Sequence, residues 1–415
     1  MKNAAVILLS VLITFATFSM HFGKRADSMI NDKNNIISEA DLVYTVDLHK
    51  TETTFCRRPF TTFLIESTST AFDISIGLSF ILVNFFLLCL SGLLLFKLSE
   101  VLGANKKYAT INMVVYFLCF SNLYAFFPPV YTYDEPLQFC LIFLSFIFFF
   151  REKWILFIIT FTLSIIARES TVILIPAIAF FLLSIKDSTP IKFLSPTNLK
   201  RLLLLIIPFV LYTIFLAIYI KVYKLEEAIS TDLSARFSGF EMNFSSSVAS
   251  SETIISMFVI LGVPCYFTYF ILRNRIVTQK QMKFINAFLL TVIINSIIVL
   301  LFTKAREVRL FAIPLFFIWP IFSELFREEI KIVCSPNLYL QIFKQWKYTL
   351  FFLFLNFLNY MISFNLYKTT VGGDDYFSEY LFVLLFIIIA HVFITDFLHK
   401  KNSSAILLKD SLQGN

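Results

Sequence analysis

The chain has 415 residues, of which 58% are hydrophobic and 15% charged, and its formal net charge is +7. Soluble domains carry about 25% charged residues, so this composition excludes an ordinary water-soluble protein. The positive balance does not point to nucleic acid, because lysines and arginines beside membrane helices account for it; the expected partner is a lipid bilayer.

Apolar runs recur from end to end, and each is about long enough to cross a ~30 Å hydrocarbon core as a helix. No alternating ten-residue pattern of a barrel is present, so the spans must be helices that satisfy their own backbone groups. The expected fold class is all-α: a polytopic transmembrane bundle of about twelve spans forming one integral membrane domain over 1–415. In chain order the spans are predicted near 3–20, 72–97, 108–129, 137–150, 154–167, 171–185, 202–220, 253–272, 284–302, 310–325, 348–365 and 380–398. The first follows Lys2 without a small-x-small cleavage site and is read as a signal anchor.

A cytoplasmic N-terminus puts 21 of the 35 basic residues on one side and 20 of the 28 acidic ones on the other. The positive-inside rule then makes both termini cytoplasmic. The first outer loop is 21–71, further outer loops are 221–252 and 366–379, and 400–415 is a loose cytoplasmic tail. The 53 phenylalanines are expected to fill lipid-facing positions. Six scattered cysteines show neither a disulfide framework nor metal-ligand spacing. The four histidines, His21, His49, His391 and His399, read as solvated or interfacial. Asn243-Phe-Ser245 is a glycosylation sequon in an outer loop.

Chemistry is expected at the outer side. The first outer loop carries several acids, of which Asp41 and Asp47 are candidate bases, and then the basic pair Arg57-Arg58 before Pro59. Between two spans lies Tyr131-Thr-Tyr-Asp134-Glu135-Pro136, whose adjacent carboxylates suit a general acid/base pair or a divalent cation such as Mg or Mn. Arg168-Glu169 interrupts a long apolar stretch, and a helix over 154–167 rises only about 21 Å, leaving both residues below the outer surface. An arginine at depth costs about 2.5–3.5 kcal/mol on insertion scales and normally pairs or binds something. The same Ala-Arg-Glu pattern returns at Ala305-Arg306-Glu307, where Lys304, Arg306 and Arg309 form a basic cluster suited to phosphate.

This layout resembles the GT-C class of membrane glycosyltransferases, which take sugar from a polyprenyl-phosphate carrier. In that likeness Asp41 or Asp47 stands for the acid of the first outer loop and Asp134-Glu135 for the acids of the second. Arg57, Arg58, Arg168, Glu169, Lys304, Arg306, Glu307 and Arg309 would serve the lipid phosphate and donor. The resemblance implies a sugar transferred to a glycan, lipid or protein acceptor at the outer face of a bacterial cytoplasmic membrane. The key acid of the class often directly follows the first span, whereas Asp41 lies about twenty residues on. A polysaccharide polymerase or ligase shares the span count and outer arginines, and a transporter or flippase shares the span count alone; scarce glycine, 9 residues, and charges gathered at helix ends weigh against the last.

Overall fold

The computed structural model describes residues 3–29, 39–52, 55–125, 133–182, 196–224, 238–367 and 376–413; the side chains of 3, 20–29, 39, 41, 123–125, 196–200 and 401–413 fall outside the description. Every regular element among the described residues is helical. In chain order these are α1 (Asn3–Met29), α2 (Glu39–Thr51), α3 (Pro59–Phe72), α4 (Ile76–Val101), α5 (Lys106–Phe117), α6 (Phe120–Ala125), α7 (Glu135–Phe150), α8 (Trp154–Ala167) and α9 (Ile175–Leu182). They continue as α10 (Pro196–Tyr223), α11 (Gly239–Phe244), α12 (Ser247–Asn274), α13 (Gln279–Phe302), α14 (Phe322–Val333), α15 (Pro336–Phe343), α16 (Trp346–Tyr360) and α17 (Phe377–Gln413).

Six stretches among the described residues are long and apolar enough to cross a membrane: Ile76–Val101, Arg201–Tyr223, Ser247–Asn274, Gln279–Phe302, Trp346–Leu366 and Phe377–Lys400. The chain is an integral membrane protein. Local chemistry fixes where several spans begin. Ser75, Asn105 and Ser246 accept the backbone N–H groups of Leu78, Tyr108 and Ala249, and Thr278 with Gln281 forms a reciprocal capping box at the start of α13.

Other predicted spans are shorter or broken. The stretch expected at 108–129 stops at Phe117 and resumes as the short α6, with 126–132 outside the described residues. The one expected at 171–185 is a 3-10 turn over Glu169–Leu174 followed by α9. That expected at 310–325 is a succession of 3-10 turns, Val308–Phe311, Ile313–Phe317 and Trp319–Ile321, and becomes α-helical only at Phe322. Pro314 and Pro320 open the second and third of these turns, where a residue without an N–H is tolerated, but neither can continue a helix from the turn before. At the C-terminus, α17 runs on to Gln413 through most of the tail expected to be loose.

The stretch expected as the first outer loop carries α2 and α3 among its described residues. Leu42 and Val46 of α2 and Ile65 of α3 pack with Phe80, Val83 and Leu87 of α4 and with Tyr133 and Cys140, so both short helices lie back on the bundle. The main core surrounds the 3-10 stretch: Trp319 stands edge-on to Tyr116 at 4.9 Å and to Phe316 at 5.2 Å, and Phe139 and Phe143 meet Phe316. Phenylalanine is therefore core-forming here, contrary to the lipid-facing expectation; Phe351, Phe354 and Phe357 on α16 are the exposed kind. Irregular backbone at membrane depth needs protein around it, and this aromatic shell supplies it.

Gly239 approaches the end of α13 so closely that a Cβ there would lie 2.8 Å from the Leu301 carbonyl oxygen and 2.9 Å from the Thr303 nitrogen. Beside it Asn243 donates to the Leu300 and Thr303 carbonyls and accepts the Ala305 N–H, closing the helix end that leads to Arg309. Buried to 4% exposure with its amide in use, Asn243 is not a glycosylation acceptor in this fold, whatever the sequon. We expect Gly239→Ala to cost about 1–3 kcal/mol, the usual range for overpacking, read as a lower thermal midpoint in detergent. An unchanged midpoint would mean that α11 can move off α13 freely.

Candidate functional site

Four chain segments deliver charge to one end of the bundle. Arg57 and Arg58 precede α3, and Asp134 and Glu135 open α7; in both, a proline in the first turn (Pro59, Pro136) occupies a position whose N–H has no helical partner. Arg168 ends α8 in an extended conformation, φ −160° and ψ 122°, and Glu169 starts the following 3-10 turn. Arg309 comes from the 3-10 turn after α13. Because α8 has only 14 residues, about 21 Å of rise, Arg168 is set inside the bundle rather than beyond it.

The result is a buried ionic cluster. Arg58 grips Glu169 with two parallel bonds, Nε to Oε2 at 2.7 Å and Nη2 to Oε1 at 3.0 Å, while Arg57 Nη2 lies 2.6 Å from the same Oε1. The third nitrogen of Arg58 lies 3.4 Å from Asp134 Oδ2. Glu135 Oε1 pairs with Arg168 and, at 3.2 Å, with Arg309 Nε; Arg309 Nη2 also holds Glu307 at 2.8 Å. Asp134, Glu135, Arg58, Arg168 and Arg309 are all buried. Gln138, one turn into α7, donates to the hydroxyls of Ser170 and Thr171 at 2.9 Å each and ties α7 to the turn bearing Glu169.

Charge balances only while every carboxylate is ionised: Arg57, Arg58, Arg168 and Arg309 face Glu169, Glu135, Asp134 and the half-buried Glu307. Burial pushes the Asp134 carboxyl up to about 7 against the pull of Arg58, with neighbouring Glu135 adding to the rise. Burial works against the Arg58 cation, but Glu169 and Asp134 more than offset it and hold its pKa above the ordinary guanidinium value. With Asp134 protonated, one positive charge is left over.

Of the residues singled out in the sequence, Arg57, Arg58, Asp134, Glu135, Arg168, Glu169, Glu307 and Arg309 come together. Asp47 does not: it sits on the outer face of α2, largely exposed and paired with Lys50 at 3.1 Å. The Asp41 side chain lies outside the described residues. Lys304 and Arg306 are exposed, Arg306 reaching Glu252 at 3.7 Å rather than the buried cluster. Asp134 and Glu135 do not fit a divalent cation, because their oxygens already face the guanidiniums of Arg58, Arg168 and Arg309, which would repel another cation. Among the described residues no group of three or more His, Cys, Asp or Glu has metal-binding geometry.

His49 is the residue that sequence reading missed. It is buried rather than solvated, stacks on Tyr133 at 3.9 Å and Phe55 at 4.8 Å, and brings Nδ1 to 3.9 Å from Asp134 Oδ1. Tyr133 is fixed in turn by Thr62, 2.8 Å from its hydroxyl. The available signal was spacing: Leu42, Val46 and His49 recur at i, i+4 and i+7, one face of α2.

His391 is also buried, in a second polar chain toward the opposite end. Tyr266 Oη lies 2.7 Å from His391 Nδ1, His391 Nε2 lies 3.1 Å from Glu329 Oε2, and Arg275 Nε lies 2.6 Å from Glu329 Oε1. This chain ties α12, α14 and α17 together. No protein-family profile, curated protein or solved structure matches this chain.

Proposed function

We propose that the protein is a membrane glycosyltransferase with a GT-C-like bundle of about twelve crossings, moving a sugar from a polyprenyl-phosphate carrier to an acceptor at the outer face. The observation that carries this reading is the pairing of two guanidiniums with each of two glutamates, Glu135 buried and Glu169 partly exposed, beside the buried Asp134 carboxyl. The positive charge left over once Asp134 takes a proton, held in a low-dielectric site, stabilises charge developing on a departing phosphate. The acceptor hydroxyl oxygen attacks the anomeric carbon, the carbon–oxygen bond to the lipid phosphate breaks, and the hydroxyl proton goes to Asp134. Asp134 lies beneath Tyr133 and His49, so this cover opens to admit the acceptor, as lids do in many enzymes. Substrate enters from the side of Arg57 and Glu169, where the cluster is only partly buried. The arginine end faces outward, and the opposite end, with Lys97, Arg151, Lys280 and Lys331, faces the cytoplasm.

A proton-coupled transporter is the second reading, favoured by the buried Tyr266–His391–Glu329 chain. One experiment separates them: purified protein is incubated with a panel of polyprenyl-phosphate sugars and release of free polyprenyl phosphate is measured. We expect release from at least one donor, within about twofold of wild type in Asp47→Asn, because an exposed i,i+3 pair contributes less than about 1 kcal/mol. No release from any donor by folded protein, with proton-dependent flux in vesicles, would replace the transferase by the transporter.

A further inference from the structure

At the end of the bundle opposite the arginine cluster lies a cavity of about 570 Å³ that the proposed transfer does not use. Its floor is aromatic and continuous: Phe150, Phe181 and Phe284 contact one another with ring centres 4.8 to 5.8 Å apart, and Trp154 stands edge-on to Phe149 at 5.7 Å. Its rim is cationic, carrying Arg201, Lys280 and Lys283.

These cations are unequally occupied. Lys280 is anchored by Glu324 at 2.5 Å and by the Leu102 carbonyl at 2.7 Å. Among the described residues Arg201 meets Glu152 alone, at 3.9 Å, and that carboxylate is mostly in solvent. Half-buried Lys283 has no ion-pair or hydrogen-bond partner among the described residues. A lysine that lines an aromatic cavity with no counter-charge among those residues offers its charge to an anion.

What sits beside the rim decides the kind of anion. Arg201 begins the apolar span Arg201–Tyr223, only 11% of whose apolar window is buried in the protein, so hydrocarbon adjoins the rim. A ligand with its phosphate at Lys283 and Arg201 can therefore lay hydrocarbon over the aromatic floor. The volume falls within the ~300–1,000 Å³ usual for small-molecule sites. We propose that this cavity is a binding site for the phosphate headgroup of one anionic glycerophospholipid from the adjoining leaflet, whether or not the protein transfers sugar. Free phosphate shares the headgroup chemistry but makes no use of the aromatic floor.

The test is native mass spectrometry of the full chain in neutral detergent, titrated separately with phosphatidylglycerol and phosphatidylcholine of matched acyl chains. One phosphatidylglycerol is expected to be retained at concentrations at least about tenfold below those needed for phosphatidylcholine, a difference of about 1.4 kcal/mol. Lys283→Gln with Arg201→Gln is expected to erase that preference, while Lys97→Gln, at the same end but outside the cavity, keeps it. Millimolar inorganic phosphate is expected not to displace the lipid. Equal retention of the two lipids by wild type overturns the proposal even if the double variant fails to fold. Loss of preference in Lys97→Gln would mean diffuse surface charge, and displacement by phosphate would reassign the site to the free anion; either result also overturns it.

Discussion

Glu135→Gln is expected to destabilise the protein by about 3–5 kcal/mol, the usual consequence of removing one partner from a buried ion pair. The change preserves shape and deletes the charge that Arg168 and Arg309 share, leaving two buried guanidiniums facing each other across a neutral amide. That is a large fraction of the ~5–15 kcal/mol that holds a typical domain together. Adding Arg309→Gln to Glu135→Gln should cost less than the sum of the single changes, because the second removes a cation the first left uncompensated; coupling of about 0.5–3 kcal/mol is usual for groups in one network. Thermal unfolding of the two single variants and the double variant in detergent measures this. Additive losses, or an unchanged midpoint in Glu135→Gln, would show that the glutamate is not the electrostatic keystone of the arginine end.

Asp134→Asn is expected to lower sugar transfer by about 10²- to 10⁴-fold, the span associated with removing a general base, while leaving the protein folded. Asparagine keeps the shape and cannot take the acceptor's proton. In wild type the carboxyl must be ionised to act, and its pKa is raised to about 7. The transfer rate should therefore fall about tenfold per pH unit below 7 and level off above 8. Stability runs the other way. The folded protein retains a proton that the unfolded chain releases, so the contribution of Asp134 is full below 3.8 and is lost as the pH rises toward about 7. A transfer rate in Asp134→Asn equal to wild type, or a profile flat from pH 5 to 8, would remove Asp134 from the reaction.

Several features of this arrangement were legible in the sequence. The break at Arg168 and Glu169 was read from counting: the apolar stretch from Trp154 has fourteen residues, and the structure ends α8 at Ala167. The acidic dipeptide before Pro136 stood at the expected start of the span 137–150, where α7 does begin, whereas the helix that opens at Pro59 falls in a stretch expected to be loop. The recurring Ala-Arg-Glu was visible as well, but its use was not. In the first copy the arginine itself reaches Glu135, whereas in the second Arg306 points to the surface and Arg309, three residues on, takes that place. The 3-10 turn after Glu307 rotates the chain differently from the helix end before Arg168, and no letter count reveals that rotation.

Hydropathy misled where it could not separate lipid from protein. A phenylalanine is equally at home in either, so Phe316 and Phe317 in the core and Phe354 and Phe357 on the exposed side of α16 look alike in the sequence. The same ambiguity made 310–325 look like one regular helix, when its prolines break it into turns packed within the aromatic shell.

The sequence by itself determined that this is a helical membrane protein and that the charges around Arg168 and Arg309 interrupt apolar stretches, because burying charge or unpaired backbone in lipid is too costly to be hidden. Only the tertiary structure decided which of those charges meet, that His49 turns inward onto Asp134 while Asp47 turns outward, and that two guanidiniums share each of two glutamates. Those outcomes depend on the packing of α2, α3, α7 and the turns after α8 and α13 against one another, contacts between residues 33 to 174 positions apart for which the sequence holds no local signal.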